Sequence, residues 1–236
     1  MATVMSERAQ VVTRIATLLC ANDLGHPIRV AIDGVTASGK STLAGELSEA
    51  ASKAGRPVIH VTMDGFHHHR ERRYRLGRMS PEGYYNDAYN FAAFARHVLI
   101  PLGPGGDGRY RDRIIDLASD ERIDEASIKA PADAILIIDG SFLQRSDLVS
   151  LWDHRIFVNT TLAVARARGT HRDAKQLGGL AQAELMYDLR YHAAARLYLD
   201  AVHPAEIATL VVDNDDLSKP GLRALGGKAS ATHLTS

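Results

Sequence analysis

Eight residues, GVTASGKS at positions 34–41, satisfy the pattern G-x-x-x-x-G-K-[ST] without a mismatch, and their types suit a container for a polyphosphate. Across Gly34, Val35, Thr36, Ala37, Ser38 and Gly39 the side chains are mostly small, so backbone N–H groups can turn inward around phosphate oxygens. A helix starting inside the motif, through Lys40, Ser41 and Thr42, adds the positive end of its dipole. Lys40 is then placed to neutralise the β- and γ-phosphates, and Ser41 to offer its hydroxyl to Mg²⁺. The motif predicts a nucleoside triphosphate site, with ATP as co-substrate and Mg²⁺ as cofactor.

Two acids fall where such a site needs them. Asp64 follows the apolar run PVIHVTM and Asp139 closes AILIID. Both are read as strand ends in an open parallel sheet, where ligands gather beyond the carboxyl ends of the strands. A carboxylate there holds the metal, orients its water shell, or takes a proton from an attacking hydroxyl. The alternative for each is a strand-end acid capping a turn, helped by the following Gly65 or Gly140.

The stretch MDGFHHHRERRYR, residues 63–75, sets three consecutive histidines near Asp64 and then four arginines within six residues. A metal site, a solvated basic loop and the border of an acceptor pocket compete as readings. Successive histidines do not all turn to one ion, although His67 and His69 share a face of an extended segment. Zinc would want two more ligands, and no cysteine stands nearby. The pocket reading is preferred: residues 66–78, with Phe66 and His67 foremost, border a site whose substrate hydroxyl meets Asp64. Downstream, ARARGTHRD (165–173) is expected to end a helix with Arg166, Arg168 and Arg172, before Gly178 and Gly179. Arginines on a mobile lid over about 166–180 can close on transferring phosphates and exclude water. A helix C-terminus also favours cations for dipole reasons alone.

The elements that must position these groups alternate along the chain. Val11, Ile15, Leu18 and Leu19 recur at helical spacing over 6–21, with Ser6 as the cap. Strands are expected at 28–33, 57–64, 134–139, 154–159 and 208–214, with helices at 40–54, 91–100, 161–173 and 181–200. Residues 65–90 read as irregular, and 109–129 as a small strand pair. AILIID is the most apolar run, as a buried central strand of a parallel sheet would be. The alternation predicts an α/β fold: a doubly wound parallel sheet of the P-loop nucleoside triphosphate hydrolase type, with helices on both faces and a small lid. One domain covers 1–217, and 218–236 reads as a flexible C-terminal tail.

Composition narrows the class. A chain of 236 residues is long enough to bury a single core without disulfides. Formal net charge is zero, so no overall field draws it to nucleic acid or an anionic membrane, and self-association is left open. Cys20 is the only cysteine, which makes a reducing cytoplasm the simplest compartment. No signal peptide is expected, because the apolar parts of the N-terminus are short and broken by Glu7, Arg8 and Arg14, and no apolar run approaches the length of a membrane span.

Taken together, IDGVTASGKSTLA, VTMDGFHH, SPEGYYNDAYNF, ILIIDGSF and ARARGTHRD resemble the uridine kinase, phosphoribulokinase and pantothenate kinase group of P-loop small-molecule kinases. The resemblance runs over about 29–214. It implies that Asp64 is the catalytic base and a metal neighbour, and that Asp139 helps hold Mg²⁺ with Ser41. It implies that Tyr85 and Asp87 contact the acceptor, and that Arg168 and Arg172 grip phosphates. Tyr191 resembles a recurring aromatic of the following helix. One departure stands out: the tyrosine and histidine that read the pyrimidine in uridine kinases are Ile115 and Asp120 here. The long insertions of bacterial pantothenate kinases are also missing.

The sequence thus predicts a kinase using ATP and Mg²⁺ to phosphorylate a primary hydroxyl of a small molecule. A nucleoside 5′-hydroxyl, of uridine or cytidine, is the first choice, and a pantothenate-like or sugar-like alcohol the second. Arg166 is expected at the substrate. A GTP-driven switch would carry N-K-x-D, which is not found. An ATPase motor would bring interdomain signatures, and an inactive nucleotide-binding protein would not keep Lys40, Ser41, Asp64 and Asp139 intact.

Overall fold

Ile135, Leu136, Ile137 and Ile138 are fully buried from both sides, and the strand they form organises the molecule. The computed structural model describes residues 5–224. In chain order, α1 (Glu7–Cys20) is followed by β1 (Ile28–Gly34), α2 (Lys40–Lys53) and β2 (Val58–Thr62). Three short helices come next, α3 (Arg70–Arg73), α4 (Pro81–Asp87) and α5 (Phe91–Phe94), the last running into a π-helical turn, Ala95–Leu99. An excursion of four two-residue strands follows, β3 (Arg109–Tyr110), β4 (Ile115–Asp116), β5 (Glu121–Arg122) and β6 (Ile128–Lys129). Then come the central β7 (Ile135–Gly140), β8 (His154–Asn159) and α6 (Leu162–Leu177). A second π-helical turn, Tyr187–Tyr191, joins α7 (Leu180–Met186) to α8 (His192–Val202), before α9 (Pro204–Ile207), β9 (Leu210–Asp213) and β10 (Gly221–Ala224).

The main sheet has the order β10-β9-β8-β1-β7-β2 and is parallel except for β10, which pairs antiparallel to β9. Alternation along the strands assigns each residue a side. Val30, Ile32, Ile135 and Ile137 pack with α1 and α2 residues such as Ile15, Leu19 and Leu47. Ala31, Leu136 and Ile138 pack with Phe94, Leu99, Trp152 and Tyr198 on the other face. Each such buried aliphatic side chain contributes about 2 kcal/mol, and both faces being covered keeps the sheet rigid under the loops at its carboxyl edge. No described helix is long and apolar enough to cross a membrane.

Three expectations are corrected here. Residues 65–90 are not irregular: Ser80 accepts from Gly83 N at 3.0 Å to start α4 and Asn90 caps α5, in helices too short to show a periodicity. The helix expected to end at 173 continues to Leu177, and Gly178 and Gly179, both at positive φ, turn it back into α7. The expected lid is therefore the second half of one helix and its hairpin into the next. At the C-terminus, the tail expected from 218 includes β10 on the sheet edge; the rest of it, 225–236, lies outside the described residues.

Candidate active site

β1 delivers the chain directly into the 34–41 loop. A Cβ at Gly34 would stand 2.7 Å from both Ser38 Oγ and Val158 O, so only glycine fits against β8. Gly39, at φ 99°, is left-handed, and a Cβ there would meet Asn214 Nδ2 at 2.5 Å. That amide donates to Ser38 O at 2.7 Å, and Thr160 Oγ1 donates to the same carbonyl at 3.1 Å, stapling the loop to the strands beside it. No side chain caps the N-terminus of α2, which leaves its leading N–H groups for an anion. Ser38 Oγ is buried without a partner, a donor that the protein itself does not satisfy.

The loop opens into a cavity of about 220 Å³ whose walls include Thr36, Lys40, Ser41, Asp64, Asp139 and Arg172. Lys40 Nζ donates to Val35 O at 2.8 Å. Burial pushes its pKa down to about 8, against the opposing pull of Asp33 and Asp139. Ser41 Oγ donates to Asp139 Oδ2 at 2.5 Å, and His60 Nε2 lies 2.8 Å from Asp139 Oδ1. Burial raises the Asp139 pKa, but the hydrogen bonds from His60 and Ser41 outweigh it and hold the carboxyl below its ordinary value. A hydroxyl and carboxylates, with no thiol, form an oxygen donor set that fits Mg²⁺.

At the root of the loop Asp33 is fully buried. It accepts from Tyr198 Oη, from Gln144 Nε2 at 3.1 Å and from Gly34 N at 2.8 Å. Burial raises its pKa. The group ties the end of β1 to α8. Arg172 reaches the cavity from α6, held by two bonds to Asp173 at 2.7 and 3.0 Å. Asp173 in turn accepts from Tyr187 Oη at 2.7 Å.

Lys40, Ser41, Asp64, Asp139 and Arg172 therefore converge, while other expected residues lie elsewhere. Phe66 is fully buried and packs edge-on against Phe94, so it belongs to the core. Tyr85 leans on Phe142 and under Arg145. Asp87 is held by Arg72 and Arg75 at 3.4 and 3.1 Å. Arg166 pairs with Asp188 and Glu184 along α7 and the π-turn. Arg168 donates to Asn214 O and Asp215 O, behind the loop. His67 stacks on Tyr89, with Nδ1 3.1 Å from Asp64 O, and burial lowers its pKa.

Most of the basic stretch has a mechanical task. Asp120 receives Arg73 Nη2 at 2.8 Å and the Arg70 backbone N–H, and its carbonyl lies 2.9 Å from His69 Nδ1. His69 and the arginines thus clamp the β4–β5 turn onto α3. Among the described residues no group of three or more His, Cys, Asp or Glu could hold a metal ion. The residues that sequence reasoning missed are Tyr84 and Tyr89, which line the cavity, and His60. Adjacent tyrosines at 84 and 85 look equivalent in sequence, and only the phase of α4 tells them apart. His60 carried a signal: His60 and Thr62 on β2, and Asp64 in the turn just after it, alternate with apolar residues.

A second cavity, of about 310 Å³, shares Thr62 and Asp64 with the first and continues past His60, Asp112, Arg113 and Asp116. Its lining includes Ile115 and Leu117, and no phenylalanine, tyrosine or tryptophan is among its lining residues. Gly65 lets the Asp64 turn approach this wall, since a Cβ there would stand 2.8 Å from Arg113 Cβ.

No protein-family model matches the sequence, and no curated protein matches it. Solved structures do. A protein described as a possible uridine kinase from Bacillus stearothermophilus superposes with TM-score 0.68 at 20% identity, covering 88% of this chain and 98% of that one. A protein provisionally described as a fructose transport system kinase from Silicibacter sp. TM1040 gives 0.67 at 26% identity, covering 84% and 96%. D-glycerate 3-kinase from Cryptococcus neoformans gives 0.52 at 13%, covering 79% and 87%. The fold is that of the P-loop small-molecule kinases.

Proposed function

We propose that this chain transfers the γ-phosphoryl group of ATP to a hydroxyl of a small molecule. The observation that carries the reading is a single cavity bringing Lys40, Ser41, Asp139, Arg172 and Asp64 together at an uncapped helix N-terminus. The 34–41 loop wraps the polyphosphate, and Lys40 swings from Val35 O to the β/γ oxygens. Mg²⁺, held by Ser41 and Asp139 with Asp64 alongside, would neutralise charge on those oxygens when bound. Asp64 accepts the proton of the attacking hydroxyl, and Arg172 stabilises negative charge on the transferring group. Arg168 and the Asn214 amide brace the loop from behind.

For the acceptor, the sequence resemblance suggests a nucleoside such as uridine or cytidine. The cavity beyond Asp64 favours a sugar-like alcohol instead. Thr62, Asp112, Arg113 and Asp116 offer hydrogen bonds there, and the one ring among the lining residues, the His60 imidazole, is tied to Asp139. The 26%-identical relative described as a fructose transport system kinase supports the same choice. An ADP-release assay with Mg·ATP against nucleosides, pantothenate, hexoses and short polyols tests both levels. ADP release with a sugar or polyol and not with uridine is expected; release with uridine alone reverses the acceptor, and release with none of the panel counts against the kinase.

A further inference from the structure

We infer that His60 is a positioning residue of the cation site, acting through Asp139; the inference rests on the kinase reading above. Parallel register sets Thr62 beside Asp139 and His60 beside Ile137, so the imidazole, two residues back on β2, reaches along the sheet edge to the carboxylate. Its Nε2 lies 2.8 Å from Oδ1, while Ser41 Oγ takes Oδ2 at 2.5 Å. The two oxygens thus have different partners. Ser41 can turn a lone pair to a cation while its O–H still donates to Oδ2. Of the two partners of Asp139, His60 is therefore the one that is not itself a cation ligand, and its bond fixes the carboxylate plane independently of the metal. Such an outer partner fixes the direction in which a ligand oxygen points, and losing one typically weakens metal binding by about 10- to 100-fold.

Nothing else does this work. Among the described residues, Asp139 has no other side-chain hydrogen bond, and the cavity's remaining cations, Lys40 and Arg172, are engaged with Val35 O and Asp173. Burial alone does not explain a histidine here: its side chain is 36% exposed on the edge of the second cavity, where an apolar or simply polar residue would serve the strand equally well.

The test is calorimetric titration of Mn²⁺ into the protein saturated with ADP, for wild type, His60→Ala and His60→Gln, with ADP affinity in chelator and Tm recorded for each. The expected result is Mn²⁺ binding about 10- to 100-fold weaker in His60→Ala and largely recovered in His60→Gln, whose amide restores a donor. Metal-free ADP affinity and Tm should stay near wild type. Wild-type Mn²⁺ affinity in His60→Ala, or a His60→Gln as weak as the alanine variant, overturns the inference and leaves the kinase reading standing. Wild-type protein that binds no Mn²⁺·ADP overturns both.

Discussion

Replacing Gly169 by alanine should unsettle Arg172, which reaches the cavity at the 34–41 loop. Gly169 lies in α6 against the fully buried Tyr187, and an added Cβ would overlap the tyrosine hydroxyl, Cζ and Cε1 together. Restoring ordinary contact near 3.5 Å requires the ring to retreat by about 1 Å or more. The Tyr187–Asp173 hydrogen bond is 2.7 Å long, and such a retreat takes it beyond bonding range. Overpacking costs about 1–3 kcal/mol and the lost hydrogen bond about 1 kcal/mol. At about 2–4 °C per kcal/mol for a chain of this length, Tm should fall by roughly 5–15 °C. Asp173, released on one side, no longer fixes Arg172, and kcat should fall by about tenfold. Thermal denaturation and steady-state kinetics read both effects. Tyr187→Phe removes the hydroxyl without crowding and should lower kcat with a loss of only about 1 kcal/mol. Gly169→Ala with Tm within about 1 °C of wild type and unchanged kcat would refute the reasoning.

The other predictions are simpler. Asp64→Asn should keep ATP binding and lower transfer by about 10²- to 10⁴-fold; unchanged kcat removes it as the base. Because burial holds free Lys40 near pKa 8 and phosphates favour its charged form, nucleotide binding above pH 8 should take up a proton. Affinity should weaken about tenfold between pH 7 and 9, a dependence absent in Lys40→Ala; calorimetry in buffers of different ionisation enthalpy measures the uptake, and wild-type affinity constant over that range contradicts it. Asp120→Ala leaves Arg73, 5% exposed, without its carboxylate partner and should cost about 2–3 kcal/mol in denaturant unfolding; an unchanged midpoint speaks against the clamp.

The sheet was legible because residues 135–138 of β7 form a continuous apolar run and strands alternate with helices along the chain, and the 34–41 loop because few residue types permit its backbone. Asp64 and Asp139 were legible from the same strand-end logic. The acceptor side was not. Phe66, Tyr85 and Asp87 have types suited to binding, but core packing and ion pairs with Arg72 and Arg75 occupy them. Which of two adjacent tyrosines faces the cavity depends on where α4 starts, a capping detail rather than a period. The basic stretch looked like a substrate rim because Asp120, its partner, lies some 50 residues away in sequence. His60 is visible as chemistry only once β2 lies beside β7.

Calorimetric titration of Mg·ATP into the purified chain is the most direct test of the central claim, with Lys40→Ala as the control. One nucleotide per chain, bound at least about tenfold more weakly by the variant, is the predicted result. Absence of binding heat at every temperature tried, or equal affinity in both proteins, would contradict it.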